Sequence, residues 1–270
     1  MPPPPLDDLL ATALTAATGA ADLLRTGFGQ RRAEVGTKSS PTDMVTDMDR
    51  AAEAHIAAAL AARRPHDAML SEEGTARAGD TGVRWVVDPL DGTTNYLFGV
   101  PAYSVSVAAE FDGSIVVGVV VDPSRQETWT AVRGEGAFRN GQPLRLVGPD
   151  VSPPPSELST ALIATGFSYL PERRAEQAAV LVDVLPRVRD IRRFGSAAID
   201  LCWVAGGRFH GYYEWGMHRW DVAAGRLIAE EAGAETAELP DGTVVVTAPG
   251  LLGPLLNLLQ SAGAGRASST

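Results

Sequence analysis

The chain predicts a layered α+β protein, with helices and a sheet up to about residue 150 and an α/β second half from 151 to 270. Three observations carry this. Apolar residues near the N-terminus recur at helical spacing. Strand-like segments in the middle are joined by Asp112-Gly113 and Asn140-Gly141, dipeptides suited to tight hairpins. Beyond VSPPPS (151–156), short apolar runs alternate with segments of helical period. Consecutive prolines lack the backbone donors that a helix or central strand needs, so VSPPPS is the candidate linker.

Leu6, Leu10, Leu14, Ala17, Ala21 and Leu24 fall at intervals of three and four and predict a first packed helix. In SSPTDMVTDMDRAAEAHIAAALAARR a turn feeds a second helix, with Thr46 and Asp49 in a capping relation and Pro65 as the stop. SEEG (71–74) and the apolar WVVD follow, then the segments YSVSVAAE, SIVVGVVVD and ETWTAV, and then GAFR and QPLRL, which read as an antiparallel meander. In the second half ALIAT, GYYEW and TVVVTA read as strands. GSAAIDLCWVAGG and WDVAAGRLIAEEAGA read as helices, the latter closed by Gly233.

Composition narrows the function. With 270 residues and 45% hydrophobic content the chain can bury a large core, and a formal charge of -10 disfavours nucleic acid or an anionic membrane as partner. The single cysteine excludes an internal disulfide and argues against a cysteine zinc cage. No basic leader precedes the first helix, and runs such as Val116–Val121 are too short to span a bilayer, so a cytoplasmic location is expected. No G-x-S-x-G elbow, dinucleotide fingerprint or calcium loop is present. Neither His210 nor His218 belongs to a nucleophile motif, and Trp203, Trp215 and Trp220 read as packing residues.

The chemistry concentrates in WVVDPLDGTTNY (85–96). Asp88 and Asp91 can share a cavity if the chain turns at Pro89, and two such anions need a proton or a cation between them. Oxygen donors favour Mg²⁺, Mn²⁺ or Ca²⁺. Gly92 admits close backbone approach, and the amides of Gly92, Thr93 and Thr94 could converge on a phosphate. Glu72 and Glu73 in SEEG and Asp221 in HRWDVAAG add further carboxylates; taken alone, each also reads as a turn, a solvated charge or a first-turn acid.

SEEG, WVVDPLDGTTNY and GMHRWDVAAGRLIAEEAGA together resemble the inositol monophosphatase family of Mg²⁺-dependent, often lithium-sensitive phosphatases. The likeness spans nearly the whole chain, with both family signatures in the expected order. It implies a layered α-β-α-β-α sandwich, two or three Mg²⁺ per site, a small phosphorylated polyol as substrate and a homodimer. It also implies that Glu72, Asp88 and the Leu90 carbonyl hold one metal, that Asp88, Asp91 and Asp221 hold a second, and that Glu72 helps hold a third. Asp49 and the Thr93 hydroxyl would activate the attacking water. Asp91, Gly92 and Thr93 would serve the phosphate side, Ala197 and Glu214 would meet substrate hydroxyls, and Lys38 would lie near the site. Thr94, Asn95 and Tyr96 stand where nucleotide phosphatases of the superfamily carry Lys-Glu-Phe, which favours inositol 1-phosphate over a nucleotide. Histidinol phosphate, fructose 1,6-bisphosphate and a noncatalytic regulatory role remain alternatives.

Overall fold

The computed structural model describes residues 4–29, 35–37, 44–148 and 153–265. In chain order the elements are α1 (Leu6–Gly27), β1 (Val35–Thr37), β2 (Met44–Thr46), α2 (Asp47–Arg63), β3 (Ala68–Ser71), β4 (Ala76–Arg77), β5 (Val83–Asp91), α3 (Thr93–Phe98), β6 (Ser104–Phe111), β7 (Ser114–Asp122), β8 (Glu127–Val132), β9 (Gly136–Arg139) and β10 (Gln142–Leu144). The second half contributes β11 (Leu162–Thr165), α4 (Pro171–Val184), β12 (Asp190–Arg192), α5 (Ala197–Ala205), β13 (Gly211–Glu214), α6 (Arg219–Glu231), β14 (Glu235–Glu238), β15 (Val244–Thr247) and α7 (Leu252–Ser261).

Two large sheets separate three helical layers. The eight-stranded sheet runs β10-β9-β8-β7-β6-β5-β3-β4 and the five-stranded sheet β12-β11-β13-β15-β14. The side-chain period of two sends alternate residues of β5 to opposite faces. Trp85 and Val87 pack with Leu9, Ala13, Ala20 and Leu24 of α1 and Ile56 and Leu60 of α2. Val86 packs instead with Leu201 of α5, Leu227 of α6 and Tyr212 and Val246 of the second sheet. The outer face of that second sheet, with Ile163 and Val245, is closed by Val184 of α4 and Leu255 and Leu259 of α7. The result is the expected α-β-α-β-α sandwich, with α5 and α6 enclosed between the sheets.

The hairpin expectations hold where the residue types required them. Asp112 and Gly113 have φ of 49° and 78° between β6 and β7, and Asn140 and Gly141 have 49° and 75° between β9 and β10. These are the positive values that a two-residue turn demands. Three features differ from the sequence pattern. The buried face of α1 centres on Leu9, Ala13, Ala16, Ala17 and Ala20, with Leu6, Leu10 and Leu14 on its flank, because the small alanines let the helix lie close to the sheet. The first sheet is not wholly antiparallel: β3 runs parallel to β5, with Ser71 opposite Val87. Finally, α4 and α7 occupy segments that gave no helical expectation.

Close approach fixes the enclosed layer. A Cβ on Gly118 of β7 would lie 2.8 Å from the Ala224 carbonyl oxygen of α6, so glycine is what lets α6 settle on the sheet. Glu110 of β6 accepts from Arg84 at 2.7 Å and pairs with Arg219, pinning the start of α6. Among the described residues, no helix is long and apolar enough to cross a membrane.

Candidate active site

Strand β5 ends in the acidic box through a break in its ladder. Its pairing with β6 shifts between Asp88 and Asp91, and Pro89 sits in that irregularity, where its missing N–H costs no ladder bond. The Leu90 N–H turns back to Asp88 Oδ1 at 3.0 Å. Parallel pairing then brings a second acid alongside: the Glu72 N–H donates to the Val87 carbonyl at 3.2 Å, extending β3 so that Glu72 emerges beside Asp88.

Asp91 is anchored from the other half of the chain. Its Oδ2 accepts from Ser196 Oγ at 2.7 Å and from the Ala198 N–H at 2.8 Å, at the start of α5. Ser104 lies 3.1 Å from Ser196 and completes the cluster. Asn95 ties the same loop to α3, donating to the Phe194 carbonyl at 2.6 Å and the Ala102 carbonyl at 2.7 Å. Asp221 stands at the third position of α6, where the His218 N–H donates to its Oδ2 at 2.6 Å.

Asp49 combines two roles. Its Oδ2 accepts from the Thr46 backbone at 2.8 Å and from the Thr46 hydroxyl, which in turn caps α2 by accepting from Met48 and Asp49 N–H groups. Its Oδ1 accepts from Thr93 Oγ1 at 2.8 Å, and that hydroxyl is also 3.1 Å from the Leu90 carbonyl. A capping box thus fixes a carboxylate against the threonine of the acidic box. Gly92, at φ 94°, has no room for a Cβ, which would come within 2.9 Å of the Ala102 carbonyl.

These elements enclose a cavity of about 290 Å³ lined by Glu72, Asp88, Leu90, Asp91, Gly92, Thr93, Ala197, Glu214 and Asp221. Every residue that the family resemblance assigned to the site therefore lines it except two, and of the further candidates Glu73 and Thr94 do not. Asp49 lies behind Thr93, and Lys38 falls outside the described residues. The sequence reading missed Ser104 and Ser196, which hold Asp91 but carry no motif of their own. It also missed Phe167, Tyr169, Trp215 and Trp220, which form part of the wall; nothing in an isolated apolar segment marks a ring as facing a cavity.

Burial sets the electrostatics. It pushes the Asp88 carboxyl well above the usual range, and Glu72, Asp91 and Asp221 push it further. Asp221 is raised in the same way, first by burial and then by Asp91 and Glu72, with the His218 N–H pulling it back. Asp91 reaches about 6 from burial, held down by Ser196 and Ala198. Glu214 reaches about 7 from burial, opposed by the Tyr212 hydroxyl, which donates to its Oε2 at 2.8 Å. Among the described residues, no three or more His, Cys, Asp or Glu side chains converge as a ready-made metal site. The fit to a divalent cation rests on donor chemistry: hard oxygens line one cavity, and three of its carboxylates disfavour the charged form of the buried Asp88.

Comparison with known proteins agrees with this architecture. A mycobacterial inositol-1-monophosphatase (Mycobacterium bovis) is 45% identical over 253 residues, covering 86% of this chain and 85% of its own. A Pasteurella multocida protein named Nus factor SuhB is 38% identical over 264 residues, covering 94% and 97%. Among solved structures, Mycobacterium tuberculosis SuhB superposes with a TM-score of 0.79 at 42% identity, covering 96% and 98%. The Bartonella henselae extragenic suppressor protein suhB does so with 0.83 at 35%, covering 95% and 98%. The layered fold and its acid-lined cavity, with these relatives, place the chain among the phosphoric monoester hydrolases. It belongs to the inositol monophosphatase family, whose model matches residues 5–266.

Proposed function

We propose that the protein is a Mg²⁺-dependent phosphomonoesterase that cleaves a small polyol phosphate, inositol 1-phosphate first, into the free polyol and inorganic phosphate. One observation carries the reading: four carboxylates from three separate segments, Glu72, Asp88 with Asp91, and Asp221, line a single cavity with Thr93 and the Asp49 pair behind it. Glu72, Asp88, Asp91, Asp221 and the Leu90 carbonyl would hold Mg²⁺. Bound there, the ions would supply charge neutralisation for the phosphoryl group and a water of lowered pKa.

The chain's own groups supply the rest. Asp49 accepts the Thr93 hydroxyl proton, which leaves that oxygen's lone pairs directed at a water donor, and a proton leaving the water passes along this pair. Gly92 and Thr93 amides orient the phosphate, and Glu214 and Ala197 receive the hydroxyls of the alcohol. Because charge and position dominate phosphoryl transfer, loss of a shared ligand costs more than loss of a hydroxyl contact.

Phosphate release should therefore be followed with Mg²⁺ on inositol 1-phosphate, histidinol phosphate, fructose 1,6-bisphosphate and adenosine 3′,5′-bisphosphate in parallel. Inositol 1-phosphate should turn over, and Asp88→Asn should abolish release from every substrate cleaved. Full turnover in Asp88→Asn protein would overturn the assignment. The name Nus factor SuhB among the relatives favours a second reading, a metal-binding regulatory partner without turnover. Absence of Mg²⁺-dependent release on all four substrates would select it.

A further inference from the structure

A second cavity, of about 350 Å³, lies between α4 and the outer face of the second sheet. Helix α4 leaves it open because only its C-terminal end is pressed down. Val184 is fully buried and Val180 packs partly against the same core, while Glu176 and Ala179 stay exposed. Phe167, Ala179 and Val180, with Ala262 and Ala264 from the turn after α7, give the cavity an apolar wall.

The rest of the lining is polar and carries charge of one sign. Thr165 of β11, Tyr213 of β13 and Thr243, just before β15, come from the sheet. Thr243 is only 2% exposed, and its hydroxyl has no hydrogen-bond partner among the described residues. Leaving such a group unpaired costs stability that a bound partner restores. Glu176, Glu214 and Asp241 line the cavity, and no Lys, Arg or His does. Asp241 accepts from the Thr243 and Gly265 N–H groups at 2.9 and 2.6 Å. Among the described residues, neither Asp241 nor Glu176 forms an ion pair.

Two features join this cavity to the acid-lined one. Phe167, Glu214 and Trp215 belong to both walls. Gln177 of α4 ties the two loops together: its side-chain oxygen accepts from the Ser168 N–H at 2.8 Å, and its amide donates to the Trp215 carbonyl at 3.3 Å. How α4 sits on the sheet is therefore felt on both sides.

We infer that the cavity between α4 and the second sheet is a regulatory site for a small apolar amine, whose body packs on the apolar wall and whose ammonium group meets Glu176 and Asp241. The volume is that of an ordinary small-molecule pocket. A carboxylate or phosphate finds no cation there, and a bare hydrocarbon leaves the carboxylates and hydroxyls unmet. Binding of the amine stands apart from the phosphomonoesterase reading; its effect on turnover rests on that reading. The ligand braces the backs of Phe167, Glu214 and Trp215, away from the reacting atoms, so it lowers KM and leaves kcat unchanged.

The probes are 2-phenylethylamine, the neutral 2-phenylethanol and the anionic 3-phenylpropionate, added to full-length protein holding Mg²⁺ and inorganic phosphate. Backbone amide resonances of Gly263 and Ala264, which line this cavity and not the other, report occupancy. The amine should bind with a Kd of about 1 mM, as expected for so small a ligand, the alcohol more weakly and the carboxylate not at all. Glu176→Gln should weaken the amine about threefold, as for a solvent-exposed charge pair, and Val180→Phe, which fills the space, should abolish binding. Glu172→Gln, on the same helix but away from the cavity, should leave binding unchanged. Saturating amine should lower KM for inositol 1-phosphate about fivefold, at the low end of coupling between sites, in wild type and not in Val180→Phe protein. Absence of amide shifts at ten times the expected Kd, equal binding of amine and carboxylate, or shifts that Val180→Phe and Glu176→Gln both leave intact would overturn the site. Binding with an unaltered KM would overturn its regulatory role. Binding to a protein that releases no phosphate from any substrate would bring down the phosphatase reading and leave the amine site standing.

Discussion

At the residue scale, Glu214 shows how burial converts a carboxylate into a sensor of its own pocket. The native state holds it near 7, against an ordinary 4.5, chiefly because burial penalises its charge. The sign follows directly. A carboxyl raised on folding contributes stability that is fully present below 4.5 and is lost as pH rises through about 7. Glu214→Gln keeps an acceptor for Tyr212 and removes the titration, so the fall in Tm between pH 5 and pH 8 should be smaller in the variant. The ionised form is the better acceptor for substrate hydroxyls, so KM should fall across the same interval in the wild type and stay flat in Glu214→Gln, with kcat changed less. Equal pH profiles of Tm and KM in the two proteins would remove Glu214 from the substrate pocket.

At the scale of elements, α2 joins folding to chemistry through its first turn. Thr46 Oγ1 accepts from the Met48 N–H at 3.1 Å and the Asp49 N–H at 3.3 Å, and its hydroxyl proton goes to Asp49. Thr46→Ala should cost about 1–2 kcal/mol, as for a lost helix cap. It should also lower kcat by loosening the acid that orients Thr93, whereas Thr46→Ser should restore both. Urea melts paired with phosphate release check this; a destabilised variant with unchanged kcat would confine Thr46 to capping. The cap was legible in the sequence because both partners lie within one turn. The Glu72–Asp88 juxtaposition was not, since it depends on a parallel pairing of β3 with β5, and no local pattern distinguishes parallel from antiparallel neighbours. Helix α4 was hidden for a different reason: it covers the second sheet from outside and buries only Val184 fully, too little to imprint an apolar stripe.

At the scale of the whole molecule, the acid-lined cavity draws on both sheets and on the helical layer between them. The acidic box and the tryptophan-aspartate helix start could be read as strings of residues. Their meeting could not, because Asp221 arrives on α6 only after Gly118 has let that helix lie against β7, and Asp91 is held by Ser196 across the halves. The same assembly sets stability against function. Asp88 is buried among Glu72, Asp91 and Asp221, all of which disfavour its charged form. Asp88→Asn should therefore raise the Tm of the chelated protein at pH 8, since the amide oxygen would still accept the Leu90 N–H while the uncharged side chain no longer repels its neighbours. Magnesium should reverse the order. A ligand that binds only the native state at a hundred times its Kd adds about 2.7 kcal/mol, or roughly 5 °C or more for a chain of this size. The Asp88→Asn protein, lacking the carboxylate proposed to be shared between the ions, should gain little. Thermal melts in EDTA and in saturating Mg²⁺ provide the four values needed. A wild-type Tm indifferent to Mg²⁺, or one that rises equally in Asp88→Asn protein, would show that the buried carboxylates are balanced by something other than a bound divalent ion.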